Sequence, residues 1–352
     1  MSQPSPLWIF EADVVAMMDI HEAIASLEKG LLAEARGDAK NMVKTHIAWG
    51  EGSTLHSIGA VFPKEGFAGT KTWAHTAGGA TPLLTLFDSN NGSLKAIIEA
   101  FALGQLRTAA ASGVATDRLA AKDKDDFAIV GTGKQALAQV AAVMAVRPSK
   151  RIRVFGPNED RRQQFAERVR NEFNIETVAS RSVSEAVAGA SIVTVVTRAT
   201  DPIITSEMIS KGAHINAIGA IVPSRAEVAR DLLERCTQIV VDSVTAAQKL
   251  SRELIDFFGS ADKEAWNRVR SLSDIVTVDK ARDTSDDVTL FKSLGMGISD
   301  LALGIELYRR AREAGLGREF ARPQRALPRL HAEERSKTDG GLQVRRSHGS
   351  SK

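Results

Sequence analysis

Apolar positions at helical spacing open the chain. Asp19-Ile20-His21-Glu22 reads as a capping box, with Asp19 accepting from the first-turn amides and Glu22 three residues on. Behind it Ile20, Ile24, Leu27 and Leu31 recur every three or four residues, which predicts a helix over 20–36. From residue 44 to 96 the texture changes to short β-like runs separated by glycine, at 44–49, 55–62, 69–74 and 83–87. Asn90-Asn91-Gly92 then supplies a tight turn before a run at 94–98. An alanine-rich helix is expected over 100–120, with Leu103, Leu106, Ala110, Val114 and Leu119 along one side. The first 120 residues thus predict a mixed α+β unit.

A charged stretch at 123–126 breaks this pattern, and a β/α alternation begins. Strands are expected at 127–130, 152–155, 192–197, 213–218 and 239–242, with helices over 134–146 and 160–172 and further helical segments between them. Wholly apolar strands alternating with helices predict a parallel sheet covered on both faces. A strand-like run at 288–292 leads into a long helix over 298–314, and periodicity ends beyond Arg322.

Composition narrows the class. With 352 residues, 43% hydrophobic and 25% charged, the chain fits about two globular domains of ~150–200 residues, which excludes a wholly disordered or fibrous protein. No apolar run approaches the ~18 residues of a membrane helix, and Met-Ser-Gln-Pro-Ser-Pro does not read as a secretory signal. The lone Cys236, among apolar neighbours, reads as a buried inert thiol and fits a reducing compartment. A cytoplasmic protein without a membrane partner is therefore expected. The pI near 9.0 would suggest nucleic acid. Residues 321–352, however, hold eight Lys/Arg and three Asp/Glu, a net +5 that leaves −2 for residues 1–320. The basic balance belongs to an expectedly disordered tail, so no nucleic-acid partner is expected.

The sharpest local motif is Gly131-Thr132-Gly133-Lys134-Gln135-Ala136, a G-x-G-x-x-A that follows an apolar strand and opens a helix. Gly131 permits the tight turn, Gly133 lets a pyrophosphate approach the backbone, and Ala136 keeps helix and strand close. The free amides at the helix start then meet the anion, the design of a Rossmann dinucleotide site. Cofactor choice is read about 20 residues on, where an acid would bind the ribose of NAD. Here Gly156 occupies that position, followed by Asn158, Glu159, Asp160, Arg161 and Arg162. A missing carboxylate with arginine nearby favours NADP(H). NAD(H) remains possible through Glu159 or Asp160, and both arginines could instead face solvent.

Leu103-Gly104-Gln105-Leu106-Arg107-Thr108-Ala109-Ala110-Ala111-Ser112-Gly113 resembles the signature of the ornithine cyclodeaminase/mu-crystallin family. Gly69-Thr70-Lys71 upstream, the glycine loop downstream and Leu290-Phe291-Lys292-Ser293-Leu294-Gly295 agree with it in order and spacing. The resemblance implies an α/β fold in which a Rossmann NAD(P)-binding domain is inserted into an α+β substrate and dimerisation domain. The pieces would be 1–122 for the first part of the substrate domain, 123–287 for the dinucleotide domain, 288–320 for the segment and helix that complete the substrate domain, and 321–352 for the tail. It also implies a homodimer and a small amino- or imino-acid substrate.

By the same resemblance Arg107 holds the substrate carboxylate, in a fork suited to bidentate contact. Lys71 lies beside the reacting carbon as a charge or proton donor, and Lys44 is a further substrate contact. Thr108, Thr197 and Ser293 fall near the nicotinamide or its ribose; Asn158 and Arg161 are cofactor candidates from their place after the second strand, not from the resemblance. Two departures bear on activity. Ile221 stands where cyclodeaminases carry an aspartate, and Gly79-Ala80 near the Ser-His of mu-crystallin-like members. An isoleucine can accept no proton, so the expected activity is imine (ketimine) reduction or the reverse amino-acid dehydrogenation. Redox-neutral ornithine cyclodeamination and a mu-crystallin-like NADP-bound protein without turnover are the alternatives. His46, His56 and His75 lack metal-ligand spacing, so no metal is expected, although His75 could line the pocket. Trp49 and Trp73 are expected in the core or at a dimer interface.

Overall fold

A computed structural model describes residues 4–122, 125–260, 262–279, 281–328 and 330. The expected tail beyond 330, together with Arg329 and part of the charged stretch at 123–126, lies outside the described residues. The described residues form two sheets. In the first, Leu7–Ile9 runs parallel to Leu94–Glu99, followed by Leu83–Asp88, Phe67–Thr76 and Ser53–Phe62 in antiparallel order. Thr45–Trp49 hangs on the outer end of Ser53–Phe62, pairing His46 with His56. One face is covered by the helices Ile20–Ala35, Phe101–Leu119 and Gly297–Ala314, which share a core that includes Leu27, Leu31, Leu84, Ile98, Leu103 and Leu301.

The capping box is present as read: Asp19 accepts from the Glu22 amide at 2.9 Å, and Glu22 returns the bond at 2.9 Å. The other two helices are capped by residues remote in sequence. Glu11 takes the amides of Phe101, at 3.1 Å, and Ala102. Asn41 Oδ1 takes the amide of Ile298 at 2.9 Å. Free first-turn donors are obligatory partners for some acceptor, and here tertiary structure supplies it. At Gly297 a Cβ would stand 1.8 Å from the carbonyl oxygen of Gly59, so only glycine lets this helix rest on the strand backbone.

The second sheet is parallel throughout, in the order Glu176–Ala179, Arg151–Phe155, Asp126–Val130, Ile192–Val195, His214–Ala217, Val288–Lys292, Cys236–Val241, Val269–Ser271. Cores lie on both of its faces. Strand order reverses between Asp126–Val130 and Ile192–Val195, and open α/β sheets bind ligands at such a switch point, outside the carboxyl ends. Val288–Lys292 corrects the sequence reading, which placed it with the returning substrate domain. It pairs with His214–Ala217 and Cys236–Val241, and all five of its residues are buried. A strand buried on both faces belongs inside a parallel sheet. The return to the first sheet is made by the helix Gly297–Ala314.

A buried polar joint ties the units together. Asn216 Nδ2 donates to Thr116 Oγ1 at 2.9 Å, and His214 lies between Asn216 and Thr289 at 3.1 and 3.0 Å. Thr289 Oγ1 in turn donates to the Leu119 carbonyl at 3.0 Å. Burial pushes the His214 imidazole down to about 3, so His214 is neutral here, and Arg282 adds a guanidinium that donates to the Leu119 carbonyl at 2.7 Å and to Thr289 Oγ1 at 3.1 Å. Cys236 is the inert thiol expected, donating to the Leu232 carbonyl and pushed up to about 12 by burial.

Candidate active site

Lys71 points from the middle of Phe67–Thr76 toward the helix Gly297–Ala314, where its ammonium pairs with Asp300. Arg107, on Phe101–Leu119, brings Nε to 3.4 Å from the same Asp300 oxygen. Lys71 and Asp300 are buried, while the Arg107 side chain stays 16% exposed and its fork can be reached. Lys44 completes the set, donating from Nζ to the Leu294 carbonyl at 3.2 Å. The structure therefore brings Lys44, Lys71 and Arg107 together, and it adds Asp300, which the sequence reading did not name. The missed signal was an acid in the first turn of a helix, a position where a carboxylate ordinarily complements the dipole.

Burial lowers both ammonium groups. Lys71 is brought down to about 8 by desolvation, opposed by Asp300 and assisted by Arg107 and Lys44. Lys44 reaches about 8 through desolvation and the neighbouring Arg107. Two amines with pKa about 8 beside one arginine and one carboxylate make a cluster of net positive charge that attracts a small anion and can exchange a proton with it.

Rings extend the wall of the pocket along the same face of the first sheet. Trp73 lies 5.3 Å from Lys71 Nζ, His56 stacks on Trp73 at 4.7 Å, and His46 stacks on His56 at 5.5 Å. His56 is pushed down to about 4, chiefly by burial and then by Lys44 and the other imidazoles. His75 follows Trp73 on this face, half-buried. Neither tryptophan is a core residue, contrary to one of the expectations. Trp73 is half-buried beside Lys71, and Trp49 is exposed on the opposite face. Among the described residues no three His, Cys, Asp or Glu side chains form a group that could hold a metal ion.

The second half of the site is the carboxyl edge of the parallel sheet. Gly131 has φ +119°, and a Cβ there would stand 2.4 Å from the Val196 carbonyl oxygen, so the turn requires glycine. At Gly133 no atom lies within 4 Å of where a Cβ would stand, which leaves the backbone open to a pyrophosphate. The following helix begins at Ala136, and Lys134 lies over the Phe101 ring at 5.9 Å. The Gln135 side-chain oxygen is buried without a hydrogen-bond partner in the protein. These features fit a dinucleotide.

Around the adenosine position, Thr132 fills the space beside Gly156: a Cβ at 156 would meet its side chain at 2.9 Å. Asn158 caps the helix Glu159–Phe173 by accepting from the Arg161 amide at 2.9 Å, and the Arg161 residue is exposed. Arg162 is buried instead, donating to the Gly156 carbonyl at 2.8 Å. Other expected contacts are already engaged within the protein. Thr108 Oγ1 donates to the Gly104 carbonyl at 2.8 Å, Thr197 Oγ1 bonds Glu227 at 2.8 Å, and Ser293 Oγ donates to Asp242 at 2.8 Å. Asp242 also takes the amides of Leu294 and Gly295, at 2.9 and 2.7 Å, and so holds the 293–295 turn. That turn meets Arg107, whose Nη1 lies 3.2 Å from where a Cβ on Gly295 would stand. Ile221, half-buried at the end of the 219–221 turn, offers no acid.

A switch-point glycine loop on the parallel sheet and a cluster of buried cations on the other sheet define a two-unit protein of the dinucleotide-fold class. The chain belongs to the Ornithine cyclodeaminase/mu-crystallin family, whose profile matches residues 10–315. It is 33% identical over 241 residues to a Delta(1)-pyrroline-2-carboxylate reductase of Bacillus cereus, covering 67% of this chain and 72% of that protein. The ketimine reductase mu-crystallin of Mus musculus is 32% identical over 244 residues, covering 69% and 72%. Among solved structures, that of the Thermococcus litoralis Delta(1)-pyrroline-2-carboxylate reductase in complex with NADH and L-proline gives a TM-score of 0.83 at 28% identity, covering 89% of this chain and 100% of that one.

Proposed function

We propose that this protein is an NAD(P)H-dependent imine (ketimine) reductase of small α-imino carboxylates, acting in reverse as an amino-acid dehydrogenase. The carrying observation is the Lys71–Asp300–Arg107 cluster, set with Lys44 against the 293–295 turn at the carboxyl edge of the dinucleotide sheet. The names of the relatives support the same chemistry. Arg107 holds the substrate carboxylate in its fork, and Lys44 adds a second positive charge. The nicotinamide, when bound, supplies a hydride to the imine carbon. Lys71, brought down to about 8, is matched to giving a proton near neutral pH. Burial excludes water that would hydrolyse the imine. Ile221 argues against cyclodeamination, because nothing at that position can take a proton.

NADP(H) is the preferred cofactor in this reading, held by Thr132, Gly133, Asn158 and Arg161. Support comes from the absence of a carboxylate at Gly156, the occupation of its side-chain space by Thr132, and the exposed Arg161 nearby. The protein is a cytoplasmic homodimer, a reading supported by the composition, the inert Cys236 and an exposed apolar strand described below. The domain division follows the family pattern, with the dinucleotide unit starting near 123 and ending after Val288–Lys292.

Arg107→Ala tests the reading. Loss of two charge-assisted contacts, each about 1.5–3 kcal/mol, lowers kcat/KM for the imino acid by about a hundred- to ten-thousandfold, while NADPH binding by titration stays unchanged. An unaltered kcat/KM overturns the carboxylate assignment.

A further inference from the structure

Below the open edge of the parallel sheet, outside the cluster that faces the substrate, lies a second group of buried charges. Glu227 is 0% exposed, and Glu253 and Lys292 are buried with it. Both Glu227 oxygens are committed. Oε1 accepts from the Thr197 amide at 2.7 Å and the Thr197 hydroxyl at 2.8 Å, and Oε2 accepts from the amides of Gly219 and Ala220 at 2.8 and 3.0 Å. Lys292 lies 3.0 Å from Glu253 and 4.0 Å from Glu227, and Glu253 returns to the Glu227 amide at 2.7 Å.

These contacts converge on one place. Thr197 stands two residues past Ile192–Val195, Gly219 two residues past His214–Ala217, and Lys292 ends Val288–Lys292. The three strands are neighbours in the sheet and parallel, so their carboxyl ends share one edge, next to the glycine loop. A carboxylate that is costly to bury is retained here with four donors on it, from two loops that both face the dinucleotide crevice. The Thr197 hydroxyl gives its proton to Glu227 and accepts from the Ala199 amide at 3.2 Å, which leaves it as an acceptor only toward a ligand.

We infer that Glu227, with Lys292 as its counter-charge and its amide held by Glu253, is a positioning residue. It clamps Thr197 and the Gly219-Ala220 turn together and so builds the nicotinamide end of the cofactor site, leaving the pyrophosphate to the glycine loop and the adenosine to the segment after Gly156. This rests on the reading of the protein as a nicotinamide-dependent enzyme. The class of group that Thr197 then recognises is a hydrogen-bond donor on the nicotinamide riboside half.

Two halves of one ligand give the test. Affinities of wild type, Glu227→Gln and Thr197→Val are measured by calorimetry for NADPH and NADH, and for ADP with and without a 2′-phosphate as adenosine-half probes. A glutamine keeps the shape but only one acceptor oxygen, so one loop is released. The dinucleotides are expected to bind on the order of ten- to a hundredfold more weakly to Glu227→Gln, with the adenosine-half probes unchanged. Thr197→Val, which leaves the buried charges intact, shifts the same way by a smaller factor. Equal weakening of both probe types, or no change in either, overturns the inference. If Glu227→Gln fails to fold, Thr197→Val decides alone by the same criterion. A wild-type protein that binds the adenosine-half probes but neither dinucleotide refutes the functional reading itself, and this inference with it.

Discussion

Lys44, Lys71 and Arg107 would repel one another in a buried pocket, and the Asp300 carboxylate offsets that repulsion. Asp300 raises the Lys71 ammonium against the burial that lowers it, so its loss moves Lys71 further below about 8. The sign for catalysis follows. Reduction needs the protonated amine, so it is full below this value and lost as pH rises through it. In Asp300→Asn that alkaline limb shifts to lower pH, and each pKa unit by which it moves lowers kcat/KM about tenfold on the limb well above about 8, but a first unit lowers it only about twofold at pH 7. A pH–rate profile checks this, and a limb that stays in place contradicts the role given to Asp300. Lys71 and Arg107 were legible in the sequence because they sit in motifs whose order and spacing are distinctive. Asp300, Asp242 and Glu227 were not, because a single acid at a helix start or after a strand has an ordinary reading, and only the fold shows what each carboxylate faces.

Among elements, Thr45–Trp49 stands out for exposure along its whole length. Ile47 is 64% and Trp49 46% exposed, and Leu55 on the paired strand is 43% exposed, all on the face opposite the histidine and tryptophan rings. An exposed apolar strand is a pairing surface, and a second copy of this chain is its expected partner. Sedimentation should show a dimer for the wild type and a monomer for Trp49→Asp. A wild-type monomer, or a dimeric variant, contradicts that assignment. The long helices and most strands were legible from hydrophobic period to within a few residues. Val288–Lys292 was misplaced because an apolar run identifies a buried strand without saying which sheet buries it. The tertiary caps from Glu11 and Asn41 were hidden because each partner lies far away in sequence.

At the scale of the molecule, a buried polar joint around His214, Asn216 and Thr289 ties the helix that carries Arg107 to the sheet that carries the glycine loop. Lys44 on the Leu294 carbonyl and Arg107 against Gly295 bring the Lys71 cluster to the carboxyl edge of that sheet, and no helix of the described residues is long and apolar enough to cross a membrane. The basic pI has no part in this arrangement, since the positive charges that matter are three side chains in one pocket. Net reduction of an imino acid is the chemistry this arrangement serves. The most direct measurement incubates the protein with NADPH and pyrroline-2-carboxylate and follows nicotinamide absorbance together with proline. NADPH is expected to be consumed in step with proline formed, with no ammonia from ornithine. NADPH bound but not consumed across cyclic and linear imino acids, or ammonia released from ornithine with no net change in the nicotinamide, would contradict it.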